Sequence, residues 1–238
     1  MAGTFVNASS QYLAISSSLG AAQNVAGNTV SMWVRPSGVA TAYAMVYWTI
    51  SGANNAARLS LSIQTSPVLY RFTGRRAVAE GSQNINSTTT PASGTLVHLC
   101  GVAGWTTQQL RLYVNGVQEN SVAPATWTAN SENTASQVAR IASRGDSTAA
   151  GYFQGTLDDV RIYQRVLSAQ EVMNLYMARG ADSIVNGLYD RWKIIGGTTG
   201  SVIGTVPSIG SNQGSAVATN SPTFAESIAK TRTRGYSF

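Results

Sequence analysis

Charge is scarce in this chain of 238 residues: Asp, Glu, Lys and Arg make up 11% of it, against about 25% in an ordinary soluble domain. Long exposed helices, which lean on Glu–Lys pairs one turn apart, are therefore not expected. A single cysteine, Cys100, excludes an intramolecular disulfide framework and a zinc site built from several thiolates. A single histidine, His98, excludes any centre that needs two imidazoles. Six prolines are too few for a proline-rich spacer. No stretch approaches the roughly 18 uninterrupted apolar residues of a membrane span, so no membrane partner is expected. The opening MAGTFVNASSQYLAISS has no basic region followed by a continuous apolar one, and the expectation is a chain made without a secretory leader.

What is present points to strands. Hydrophobic residues reach 43%, enough for a real core, and 23 glycines accompany many Ser, Thr and Asn residues. The net charge of +6 comes from 14 Arg and 2 Lys. Apart from the doublet Arg75–Arg76 and the cluster Lys230, Arg232 and Arg234, these are scattered. A nucleic-acid surface concentrates basic residues among exposed aromatics, so nucleic acid is not an expected partner.

Short alternating apolar runs bounded by turn residues recur along the chain, the pattern of an all-β sandwich or barrel. Expected strands are Gln11–Ile15, Thr29–Arg35, Ala44–Ile50, Arg58–Gln64, Val68–Phe72, Thr95–Gly101, Gln109–Val114, Gln137–Ser143 and Thr156–Tyr163. Ala44–Ile50 is nearly all apolar and should sit centrally, with Asn54–Asn55 in the turn that follows. Glu80–Ser93 is polar and small and reads as a surface loop. Asn115–Gly116 accepts the positive φ angles of a tight hairpin turn, so Val114 should lead straight into a return strand at Val117. One helix is expected: Ser168 and Glu171 form a capping box, Val172, Leu175 and Tyr176 share a face, and Arg179–Gly180 end it.

Phe153–Tyr176 (FQGTLDDVRIYQRVLSAQEVMNLY) resembles the closing motif of laminin-G-like, concanavalin A-like jelly-roll domains. There a strand of the form G-x-(I/L)-D-(D/E)-V-R-I-Y is followed by R-x-L-S-x-x-E and a short helix. Gly155, Leu157 to Tyr163, Arg165, Leu167, Ser168 and Glu171 match in register. Ser31–Pro36 resembles the family's early tryptophan strand, and Val97–Gln118 its central L-R-L-Y-V-N-G hairpin. The resemblance covers roughly residues 1–178. It implies a two-sheet antiparallel jelly-roll sandwich over residues 1–179, with 180–238 as a C-terminal extension or docking arm. Fold alone fixes no function.

Several chemistries can be weighed on the residues. Glycoside hydrolysis needs two carboxylates flanking one bond, and none of the ten acids has the E-x-D-x-x-E spacing of laminarinase-type relatives. The adjacent Asp158 and Asp159 should point to opposite faces of a strand. His98 and Cys100 sit in an apolar strand and read as packed side chains. No enzyme is expected. The resemblance places Asp158 where related sandwiches often hold a calcium ligand. The matching first-strand region, Phe5–Tyr12, offers Asn7 and Gln11 but no acid, too little for an ion that wants several carboxylates. No cofactor is therefore expected, with calcium at Asp158 as the weak alternative. Trp105, Trp127 and Tyr152 fall at turns or loops and are the candidate glycan-binding platforms. Residues 181–195 want burial, whereas 196–221 resemble a flexible linker. The ending SIAKTRTRGYSF offers Arg232, Arg234, Tyr236 and Phe238 as anchors of an assembly arm.

The expectation is a non-enzymatic structural protein of a phage virion, a capsid decoration or fibre module on a lectin-like jelly roll. Its expected partners are other virion or capsid subunits, in a homo-oligomer, and surface glycans; its expected location is the virion. The alternative is a stand-alone carbohydrate-binding or adhesion module.

Overall fold

The computed structural model describes residues 2–16, 18–39, 43–49, 57–136, 138–144, 151–194, 201–212 and 214–225. In chain order the strands are β1 (Ala2–Phe5), β2 (Tyr12–Ile15), β3 (Gly27–Pro36), β4 (Tyr43–Thr49), β5 (Ala57–Thr65), β6 (Val68–Gly74), β7 (Gln83–Asn86), β8 (Val97–Gly104), β9 (Gln109–Val114), β10 (Val117–Val122), β11 (Ala139–Ile141) and β12 (Gly155–Tyr163). Helix α1 (Ala169–Ala178) follows, then β13 (Leu188–Trp192), β14 (Thr205–Pro207), β15 (Ser215–Thr219) and β16 (Thr223–Ala225). They form two antiparallel sheets. The first runs β10-β9-β8-β3-β12-β1-β16, with β13 also paired to β12. The second runs β14-β15-β2-β11-β4-β5-β6-β7.

Period-two alternation sets the packing. Leu59, Leu61 and Ile63 of β5 face Val30, Met32 and Val34 of β3 across one hydrophobic core, while Ser60 and Ser62 point the other way. The core is dense where the sheets meet: a Cβ built on Gly101 of β8 would lie 2.3 Å from the Phe72 ring of β6. Glycine is required there because only a bare backbone lets the ring sit down on the opposite sheet. The hairpin turn is as expected, with Asn115 at φ 51° and Gly116 at φ 81° joining β9 to β10. The capping box forms as well: Glu171 N donates to Ser168 Oγ, Ser168 N donates to Glu171 Oε2, and Arg179 ends the helix in a left-handed conformation.

The two outer faces differ. On the first sheet, Cys100, Val102, Tyr113 and Tyr163 form a second apolar cluster, closed by Leu167 and by Val172 and Leu175 of α1. On the second sheet, among the described residues, no helix or strand packs over the outer side.

Three expectations need correction. Glu80–Ser93 contains a strand, β7, which pattern reading misses because it is a polar edge with Ile85 as its single inward apolar residue. Asp158 and Asp159 do not straddle β12. Leu157 and Val160 both enter the core, and Asp159, at φ 52°, is the extra residue of a bulge, so both acids lie on the outer side. Finally, 196–221 is not a linker over its described part. Strands β14 and β15 extend the second sheet from β2, β16 pairs with β1, and Trp192 and Ile194 are fully buried. Residues 180–225 are thus built into the sandwich rather than appended to it, wherever they are described.

Candidate functional site

The buried polar groups of the first sheet hold structure together. Arg161 donates from Nη1 to Asp182 Oδ1 at 2.7 Å and from Nη2 to Asp182 Oδ2 and Asp159 Oδ2, both at 2.6 Å. Arg191 Nε donates to Asp159 Oδ1 at 2.6 Å and its Nη2 to the Gly180 carbonyl at 2.8 Å. The network ties β12 to β13 and to the end of α1. Burial acts to raise both carboxyls, but the charges and hydrogen bonds of Arg161 (and, at Asp159, Arg191) hold them below the usual carboxylate range.

Asp158 is different. Burial, and then the neighbouring Asp159 charge, push its carboxyl up to about 7. Among the described residues no group of three or more His, Cys, Asp or Glu side chains converges to hold a metal ion. Asp158 instead accepts the backbone N–H of Asp159 at 2.8 Å. His98 is buried with its Nε2 2.9 Å from Ser31 Oγ and its ring beside those of Trp33 and Tyr176, which stack on each other. Burial, with the Arg161 charge, pushes it down to about 3, so it is neutral at physiological pH. Cys100 is buried and its thiol pushed up by that burial. Neither offers a nucleophile or base to a ligand.

The proposed aromatic platforms fare unevenly. Trp105 and Trp127 are both 0% exposed, with ring centroids 4.7 Å apart. Trp105 Nε1 donates to Asn28 Oδ1 at 2.9 Å, and Trp127 packs against the bare Gly74 backbone. These rings close one end of the core and present no face to a sugar, which corrects the reading of them as platforms. Tyr152 is half-buried, with its ring 6.1 Å from that of Tyr12. Arg232, Arg234, Tyr236 and Phe238 lie outside the described residues.

Tyr152 borders the outer face of the second sheet, over which no described helix or strand packs. One row of cross-strand neighbours crosses it: Thr205 of β14, Val217 of β15, Ala14 of β2, Arg140 of β11, Tyr47 of β4, Ser60 of β5, Thr73 of β6 and Asn84 of β7. A shorter row, Ser62, Arg71 and Asn86, runs beside it. The row is deepest at its centre. Tyr47, Ser60 and Thr73 are 6%, 4% and 8% exposed, whereas Thr205, Val217 and Asn84 at its ends are exposed, so the face forms a trough. Its polar groups are mutually braced: Thr73 Oγ1 donates to Asn84 Oδ1 at 2.6 Å, Arg71 Nε to Asn86 Oδ1 at 2.8 Å, and Gln64 Nε2 to Ser62 Oγ at 3.1 Å. At the other end Arg140 lies 4.5 Å over the Tyr12 ring. None of the eight strands of this sheet contains an Asp or a Glu.

Sequence reasoning passed over Tyr12, Tyr47, Arg71, Asn84, Asn86 and Arg140. The signal available was the polar half of each alternating strand, legible in β5 as Ser60 and Ser62; which strands share a face is set by tertiary pairing.

Two packed sheets, one outer face sealed by a helix and the other a polar trough over which no described element packs, define a lectin-like jelly roll. Residues 7–173 match the family model described as the concanavalin A-like lectin/glucanases superfamily, and the chain belongs to that family. No curated protein sequence matches it. Among solved structures, a Bacteroides ovatus protein to which carbohydrate binding has been ascribed superposes with a TM-score of 0.66 at 14% identity. That match covers 94% of this chain, which spans only 61% of the other. The CBM40 module of a Ruminococcus gnavus sialidase, bound to α2,3-sialyllactose, gives a TM-score of 0.59 at 12% identity over 74% of this chain and 97% of its own. A heptameric SAP-like pentraxin from Limulus polyphemus gives 0.56 at 13% identity, over 74% of this chain and 81% of that one. At these identities the likeness is one of fold.

Proposed function

We propose that this chain binds carbohydrate, without turning it over, in the trough on the second sheet. The observation that carries the reading is the row of braced hydroxyl, amide and guanidinium groups flanked by Tyr12 and Tyr152. A sugar offers hydroxyls at its edges and C–H groups on its faces, so polar side chains held in place and a tyrosine rim match both kinds of surface. Hydrolysis would call for two carboxylates beside the bond, and the strands of this sheet bring none. Family membership and the carbohydrate-binding neighbours support the same reading. The test is a glycan array probed with the intact chain, with hits titrated against Tyr12→Ala and Asn86→Ala. Binding that both variants weaken, with unchanged circular dichroism, is expected; an array without a hit would remove the reading.

A virion role for this module is the second reading. The residues that follow β16, an edge strand of the first sheet, include Lys230, Arg232, Arg234, Tyr236 and Phe238. A cationic and aromatic stretch that follows an edge strand in sequence suits attachment to capsid subunits. Co-sedimentation with phage particles, lost in a chain ending at Ala225, is the expected result; retention of co-sedimentation by the shortened chain would dismiss the arm.

A further inference from the structure

We infer that the sugar taken in the trough is an acidic one, a carboxylate-bearing residue of the sialic or uronic acid type, held by the guanidinium of Arg71. The inference rests on the carbohydrate-binding reading and names its ligand class.

Arg71 stands on β6 between Ser62 of β5 and Asn86 of β7. Its Nε donates to Asn86 Oδ1 at 2.8 Å, which fixes the plane of the guanidinium. Its two terminal nitrogens have no hydrogen-bond or ion-pair partner among the described residues, since that single bond is all the side chain makes. Other arginines of this chain are neutralised in place: Arg76 by Glu80, Arg161 by Asp159 and Asp182, Arg165 by Glu171, Arg191 by Asp159. Arg71 cannot be neutralised within its own sheet, because the strands hold no acid. Glu119 of β10 is engaged elsewhere, accepting the backbone N–H groups of Thr88 and Thr89 at 2.8 and 2.9 Å.

Burial lowers the Arg71 pKa with no carboxylate to offset it. A pre-oriented fork with two open donors is the geometry that receives both oxygens of a carboxylate. Ser62 stands beside it. Its Oγ already accepts from Gln64 at 3.1 Å, so its own proton is free to be donated to a ligand. A neutral sugar would leave the Arg71 fork to water; an acidic one would complete it.

The test is titration calorimetry of the full chain with two matched pairs, 3′-sialyllactose against lactose and trigalacturonate against its methyl ester. At least one acidic member should bind about tenfold more tightly than its neutral counterpart, the size of one charge-assisted contact. In Arg71→Gln that ratio should fall to about twofold or less, and Arg71→Lys, which keeps the charge but loses the fork, should lie between. Arg111→Gln removes the same charge from β9 of the other sheet and should leave the ratio unchanged.

Equal binding within both pairs would overturn the acidic preference while leaving carbohydrate binding in place. Binding to none of the four, and to nothing on the array, would overturn both. A ratio that Arg111→Gln lowers as much as Arg71→Gln would assign the preference to overall charge and overturn the role of Arg71. If Arg71→Gln melts early, the Arg71→Lys titration decides instead, and a wild-type ratio there counts against the fork.

Discussion

The Arg140 guanidinium carbon lies 4.5 Å from the centre of the Tyr12 ring, and Tyr152 flanks the same ring at 6.1 Å. Two tyrosines and a cation from three different segments therefore make one half-exposed corner of the trough. Replacing Tyr152 with Ala removes the outer ring without entering the core. Glycan affinity should fall several-fold, the equivalent of about 0.5–1.5 kcal/mol for an aromatic contact, with the melting temperature almost unchanged. Calorimetry and a thermal melt on the same sample check this; unchanged affinity would take Tyr152 out of the site.

Gly101 gives a stability prediction of opposite character. Because an added Cβ meets the Phe72 ring at 2.3 Å, Gly101→Ala should cost about 1–3 kcal/mol through overpacking. Phe72→Leu in the same background should recover part of that loss. Chemical denaturation of the three variants decides whether the two positions are coupled.

Asp182 takes two hydrogen bonds from the buried Arg161. Asp182→Ala leaves part of that guanidinium without its partner in a dry setting and should destabilise by on the order of 3 kcal/mol. Asp182→Asn, which keeps an acceptor, should lose less. The same carboxyl and Asp159 have lowered folded-state values, so their contribution is complete above the unfolded carboxylate value and is lost as the pH falls through the folded one. Acid melts followed by fluorescence should show this loss in the wild type and a shallower one in Asp182→Asn.

Asp158 has the opposite sign. Its carboxyl is raised to about 7, so between an ordinary carboxylate value and about 7 the folded state holds a proton the unfolded state has released. Stability from this group therefore falls as the pH rises through that window. His98, lowered to about 3, contributes a rise with pH up to its unfolded value near 6.5. Asp158→Asn removes only the fall. It should be stabilising by several degrees at pH 8 and close to neutral at pH 4, a difference that thermal melts at the two pH values measure directly.

Shortening the chain tests which residues the sandwich needs. A chain ending at Arg179 loses β13 to β16 together with Asp182, Arg191, Trp192 and Ile194, and should not fold cooperatively. A chain ending at Ala225 keeps every described strand and should give the circular dichroism of the full protein. A cooperative melt from the shorter chain would show that the last strands add little to the core.

The sequence by itself determined the local elements whose signals are short in range. The alternation of Leu59, Leu61 and Ile63, the Asn115–Gly116 turn and the Ser168–Glu171 capping box each act within a few residues, and each is found where it was expected. The family-like motif through Asp158, Arg161 and Tyr163 likewise announced a jelly roll. Tertiary structure decided the rest. It made Trp105 and Trp127 core rather than platform, because a loop aromatic is buried or exposed according to what folds over it. It drew β14, β15 and β16 out of a Gly- and Ser-rich stretch, because weak strands form when an existing sheet edge supplies hydrogen bonds to them. It also assembled the trough. Tyr12, Tyr47, Arg71 and Arg140 stand on strands far apart in sequence, and only the pairing of those strands, fixed by which faces must be buried, sets them on one surface.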